Sequence, residues 1–186
     1  MNIGKMKKIF TLILFLCMAV LMTLPASAAK KAKPRTIAKA NAAYESYVAE
    51  KGIKKAEYVD IDGNGINELL AMFPDYKYGV CTYNIGKKKV VCLKRVSIGK
   101  YFTCPIYVDT KNSQFTLTRS STAGTVYTTW KLSGSKVTRV TQISSLRNGG
   151  AGSPYISREN GKIISGVAFD NKVNAIRQLT TYDLYC

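Results

Sequence analysis

The segment Glu57-Tyr-Val-Asp-Ile-Asp-Gly-Asn-Gly-Ile-Asn-Glu-Leu-Leu-Ala-Met-Phe73 decides how this chain is built. Its flanks, Glu57 to Asp60 and Leu69 to Phe73, have strand length and strand composition, so the reading is strand, tight loop, strand. The segment also gathers Glu57, Asp60, Asp62 and Glu68, four of only eleven acids in a protein of formal charge +17. Packing like charges together is costly unless a cation lies between them. Side-chain oxygens at loop positions 1, 3 and 5 (Asp60, Asp62, Asn64) can converge on one point. Gly65 permits the bend, the Ile66 carbonyl can turn inward, and Glu68 can close the shell. Such an all-oxygen donor set suits calcium. The same Asp-Gly-Asn-Gly run also suits a metal-free turn, because Gly and Asn tolerate positive φ, and the sequence leaves both readings open.

The loop resembles the first half of an EF-hand and, more closely, the nine-residue D-x-D-x-D-G-x-x-D loop of integrin-like propeller (FG-GAP) repeats. Asp60-Ile-Asp-Gly-Asn-Gly-Ile-Asn-Glu-Leu-Leu70 is also similar to a segment that secreted proteins of Gram-positive gut bacteria carry once per domain. The likeness spans residues 36–95. An EF-hand has a bidentate Glu at position 12, where this chain has Ala71. Asn64 stands for an Asp, Glu68 replaces the last Asp with a longer arm, and strands replace the two helices. The resemblance implies structural calcium with a dissociation constant on the order of 10⁻⁴ to 10⁻³ M, the range of extracellular modules. A propeller needs several such blades and this chain has one, which excludes that architecture.

The N-terminus has the three parts of a secretory signal. Lys5, Lys7 and Lys8 form a basic start, Ile9 to Leu24 is apolar but short for a full membrane span, and Pro25 precedes the cleavage motif Ala26-Ser-Ala28. Cys17 lies inside the apolar run after Leu16, which is too large for a lipoprotein site. The expected organisation is a signal peptide over residues 1–28, a disordered basic leader over 29–35, and a single α+β domain over 36–186.

Within that domain, Ile37, Ala40, Tyr44, Tyr47 and Val48 recur at helical spacing, and Gly52 stops the helix. Tyr78 to Leu93 reads as a hairpin about Gly86-Lys87, with Cys81 opposite Cys92. Cys104 to Asp109, Gln114 to Arg119, Thr125 to Leu132 and Lys136 to Ser144 continue the strands. Pairing about Gly134-Ser135 sets Trp130 against Arg139, a candidate cation–π pair on the surface. Arg147-Asn-Gly-Gly-Ala-Gly-Ser-Pro154 lacks the Gly-Lys-Ser/Thr ending of a phosphate loop and reads as a surface loop. Phe169, Val173, Ile176 and Leu179 predict a closing helix over about 165–178 laid on the sheet. The sum is an N-terminal helix, an antiparallel meander of about six to eight strands, and a C-terminal helix.

In an exported chain, the even set Cys81, Cys92, Cys104 and Cys186 predicts disulfides, with Cys81–Cys92 across the hairpin and Cys104–Cys186 left over. Buried free thiols are the alternative. Zinc is disfavoured, since the chain has no C-x-x-C pair and no histidine. The missing histidine also removes Ser-His-Asp and Cys-His mechanisms. The acids outside the loop (Glu45, Glu50, Asp75, Asp109, Glu159, Asp170, Asp183) are too scattered to read as a glycosidase pair.

Lys87-Lys-Lys89, Lys94-Arg95 and the leader lysines suit either attraction to polyanions at the cell envelope, without specific nucleic-acid readout, or a solvated basic face kept for solubility, and the sequence leaves both open. The expectation is an exported, non-catalytic calcium-binding domain that associates with the envelope or an extracellular polyanion. The alternatives are a small envelope hydrolase or inhibitor-like domain using a cleft beside Gly149-Gly150, and a metal-free structural module.

Overall fold

The computed structural model describes residues 31–97, 105–149 and 152–184. All the described residues belong to one compact unit, Lys31–Cys186. Helix α1 (Pro34–Lys51) begins two residues before Thr36, the expected start of the domain. Proline suits the first helical turn, where its missing N–H has no partner to lose. Pro34 and Arg35, expected in a disordered leader, therefore form helix. Gly52 ends it in the left-handed region at φ 58°.

The strands form two antiparallel sheets. The first runs in chain order through β1 (Lys55–Val59), β2 (Glu68–Phe73), β3 (Lys77–Asn84) and β4 (Lys89–Ser97). The second holds β5 (Ile106–Asp109), β6 (Gln114–Ser121), β7 (Gly124–Ser133), β8 (Lys136–Arg147), β9 (Tyr155–Glu159) and β10 (Lys162–Ile163). Helix α2 (Gly166–Arg177) follows, and β11 (Thr180–Tyr182) returns to pair with β5, giving the order β10-β9-β8-β7-β6-β5-β11. The α+β class stands. The single six-to-eight-strand meander gives way to two sheets, and the last element is a strand.

Side-chain alternation explains the layering. β2 is buried along its whole length. Leu70 and Met72 join Ile106, Val108, Phe115 and Leu117 in a core between the sheets. Leu69, Ala71 and Phe73 point the other way, against Ala40 and Tyr44 of α1. A strand with one face in each of two cores shows the continuous apolar run that Leu69 to Phe73 displays. On the far side, Tyr107, Tyr127 and Ile143 meet Val173 of α2, with Phe169, Ile176 and Leu179 packed alongside as the helical stripe predicts. The layers are helix, sheet, sheet, helix.

The chain's end ties the sheets together. Leu184 is buried in the inter-sheet core, and Lys55 of β1 donates to the Asp183 carbonyl at 2.7 Å.

Both expected hairpin registers are present: Cys81 pairs with Cys92 and Trp130 with Arg139. The cation over Trp130 is Lys94 of the first sheet, 4.1 Å from the ring centroid, rather than Arg139. Trp130 packs against the inter-sheet core, within reach of the facing sheet. The expected Cys81–Cys92 disulfide is not formed, and both are free thiols. A bulge at Val80/Cys81 shifts the register there, and the Cys92 thiol faces the carbonyls of Val80 (3.8 Å) and Lys94 (3.7 Å). Cys104 and Cys186 lie outside the described residues.

Candidate metal centre

The loop between β1 and β2 brings Asp60, Asp62 and Glu68 together, with ligand oxygens within 4.8 Å of one another. Asp60 and Asp62 are half-buried and Glu68 is 0% exposed. Strand geometry sets that burial. Glu68 opens β2 on the same side as Leu70 and Met72, so its carboxylate lies beneath the loop on the inter-sheet side.

Each carboxylate is oriented by protein donors. Asn64 N–H donates to Asp60 Oδ1 at 3.0 Å, and Gly65 N–H to Asp60 Oδ2 at 2.8 Å. Glu68 Oε2 accepts from Ile61 N–H and Oε1 from the Thr82 hydroxyl, both at 2.9 Å. Asp62 Oδ1 accepts from Asn64 N–H at 3.3 Å, and Oδ2 accepts from Gly134 N–H at 2.7 Å, a bond reaching from the β7–β8 turn of the other sheet. A carboxylate oxygen has two lone-pair sites, so these single bonds orient the group and leave acceptor capacity for a cation.

The backbone follows from composition. Gly63 (φ 71°) and Gly65 (φ 84°) take the left-handed conformations that such a tight loop requires. The Asn64 side-chain oxygen accepts from Ile66 N–H at 2.7 Å, pinning the turn. Of the five expected ligands, the three carboxylates lie close together. The Asn64 side-chain oxygen keeps a second lone pair beyond its bond to Ile66 N–H, and the Ile66 side chain is buried beneath α1. The loop is also braced from α1. Tyr44 donates its hydroxyl to the Asn67 carbonyl at 2.6 Å and accepts from Tyr83 N–H at 2.8 Å, while Ala32 N–H reaches the Asn64 carbonyl at 2.7 Å.

Among the described residues, the carboxylates are not matched by positive side chains. The ion pairs among the described residues are Lys51–Glu50, Lys77–Asp75, Arg95–Asp75 and Lys172–Glu159, none of which engages the three carboxylates. Burial pushes the Glu68 carboxyl up to about 8, and the neighbouring Asp62 and Asp60 charges push the same way against the bonds from Ile61 and Thr82. Hard oxygen donors around a concentrated negative charge fit calcium or a similar cation. Thr82, Gly134, Ala32 and Tyr44 carry no signal in the sequence, because each reaches the loop through pairing set elsewhere in the chain.

Away from the loop, a cleft of about 620 Å³ lies between α2 and the second sheet, with Tyr127, Tyr155, Asp170, Asn174 and Arg177 in its lining. Asp170 is the one acid there, and Gly150 of the neighbouring glycine-rich loop falls outside the described residues. No helix among the described residues is long and apolar enough to cross a membrane.

No family model matches the chain, and no curated protein matches it. One solved structure, described as a Xanthomonas type IV secretion system related protein, is similar at a TM-score of 0.38 and 16% identity. The match covers 59% of this chain and 57% of that one, so the chain spans little more than half of that protein's length. A likeness this slight carries no argument about fold or function.

Proposed function

We propose that this protein is an exported, non-catalytic domain that binds one calcium ion in the Asp60–Glu68 loop and associates with the cell envelope through its basic surface. The observation that carries this reading is the fully buried Glu68 carboxylate, held within 4.8 Å of Asp60 and Asp62 with no basic side chain among the described residues paired to any of them. A buried like-charge cluster is costly. A bound cation removes that cost and converts the repulsion into coordination. Asp60, Asp62 and Glu68 supply the charge, with the Asn64 side chain and the Ile66 carbonyl as neutral donors. Calcium's role here is structural: it clamps the β1–β2 connection and, through the Asp62–Gly134 bond, steadies the contact between the sheets.

The chain has no histidine, which supports the non-catalytic part of the reading. The N-terminal segment through Ala28 supports export. Calorimetric titration of calcium into the chelator-treated protein beginning at Ala29 tests the metal. Saturable binding near millimolar, absent from the Asp60→Ala/Asp62→Ala variant, is the expected result. A wild-type protein that gives no heat and no thermal shift would reduce the loop to a plain turn.

A further inference from the structure

The cation loop does not stand alone at its end of the molecule. Gly134 of the β7–β8 turn is bonded to Asp62, and its neighbour Ser135 accepts from the Asn84 side-chain amide at 2.9 Å. Asn84 begins the β3–β4 turn and takes Lys87 N–H on its own side-chain oxygen at 2.8 Å. On the other side, Ala32 is bonded to Asn64. This chain of hydrogen bonds sets four segments side by side, and the segments carry Lys31, Lys33, Arg35, Lys87, Lys88, Lys89 and Lys136, all exposed. None of these seven takes part in an ion pair among the described residues. At the β3–β4 turn, directly before Gly86 and the three lysines, Ile85 is 58% exposed.

We propose that this end of the molecule docks onto an anionic phospholipid bilayer, with Ile85 entering the interface and the surrounding cations meeting the headgroups. The proposal rests on the envelope-associated reading above and specifies its partner. Charge complementarity calls for a dense anionic surface. The apolar side chain at the turn, ringed by lysines, selects a bilayer over a soluble polyanion, because only the bilayer offers a place to bury it. The loop sits within the same face. Its carboxylates oppose an anionic surface when bare and cease to do so once a cation neutralises them, so docking should strengthen with calcium.

The test is co-sedimentation of the protein beginning at Ala29 with phosphatidylcholine vesicles, with and without phosphatidylglycerol, in calcium and in chelator. Binding should require phosphatidylglycerol, strengthen in millimolar calcium and weaken with salt. A Lys87→Gln/Lys88→Gln/Lys89→Gln variant should bind about a hundredfold more weakly, since each lysine near such a surface is worth roughly a tenfold or smaller step. Ile85→Ser should lose about tenfold while keeping the salt dependence. All four positions are exposed, and unchanged melting temperatures would show that the variants fold. Equal binding by wild type and the triple variant overturns the proposal, as does wild-type binding to isolated wall polymer but not to vesicles. Lysine-dependent docking that calcium leaves unchanged upholds this face and counts against the cation's part in it. Saturable calcium binding with no vesicle binding keeps the metal reading and overturns the docking.

Discussion

Glu68 concentrates the chemistry of this protein in one side chain. Its carboxyl lies near 8, against an ordinary value of 4.5, chiefly because burial disfavours the charged form. The fold therefore holds the protonated acid better than the unfolded chain does. Without a cation, that advantage is complete below 4.5 and is lost as pH climbs towards 8. Every tenfold gain in proton affinity corresponds to about 1.4 kcal/mol, so the stability lost across this range amounts to several kcal/mol. Melting temperatures in chelator should fall steadily across this window, and saturating calcium should flatten the curve by favouring the carboxylate. Glu68→Gln should flatten it too while abolishing the calcium response. A chelated wild type with a level pH profile would refute this account of the site. The Asp-x-Asp-x-Asn-Gly spacing and terminal Glu made this triad legible in the sequence. The depth of Glu68 was not, because burial depends on the second sheet.

Among the elements, β1 and β2 carry the loop between them and α1 braces it. Tyr44 joins α1 to both the loop and β3 through one hydroxyl, so Tyr44→Phe leaves the buried Tyr83 N–H without its acceptor. A loss of about 1–3 kcal/mol is expected, read by denaturant unfolding, with weaker calcium binding alongside. Gly79 tests the β3–β4 pair separately: a Cβ there would stand 2.1 Å from the Lys94 carbonyl oxygen. Gly79→Ala should cost about 1–3 kcal/mol or more while leaving calcium affinity nearly unchanged. Wild-type stability in that variant would show that the strands do not approach so closely. Helical spacing in Ile37 to Val48 and in Phe169 to Leu179 identified both helices, since a packed helix writes its period into its apolar residues. Turn chemistry gave the two hairpin registers. The bulge at Val80/Cys81 left no such mark.

For the whole molecule, the layering was the hardest part to foresee. Alternation tells which residues of a strand share a face but not which sheet the strand joins, and β4 and β5 belong to different sheets. β11 was hidden for a related reason, because Thr180-Thr-Tyr182 is a strand only by virtue of its pairing with β5. Its neighbour Leu184 lies in the inter-sheet core, so Leu184→Ala should cost about 2–5 kcal/mol, close to the cost of a mid-core leucine. A melting temperature within a degree of wild type would contradict that packing. The same segment has a consequence for the order of events after synthesis. β5 cannot close its outer edge, nor Lys55 find its carbonyl, until residues 180–184 have emerged. The first sheet draws only on neighbours near in the chain, whereas the second waits on a contact spanning some seventy residues, and such closures are slow. A chain threaded outward from its N-terminus would thus expose an unsealed second sheet until residues 180–184 crossed, and that interval is when it would most need protection from proteases and from other copies of itself.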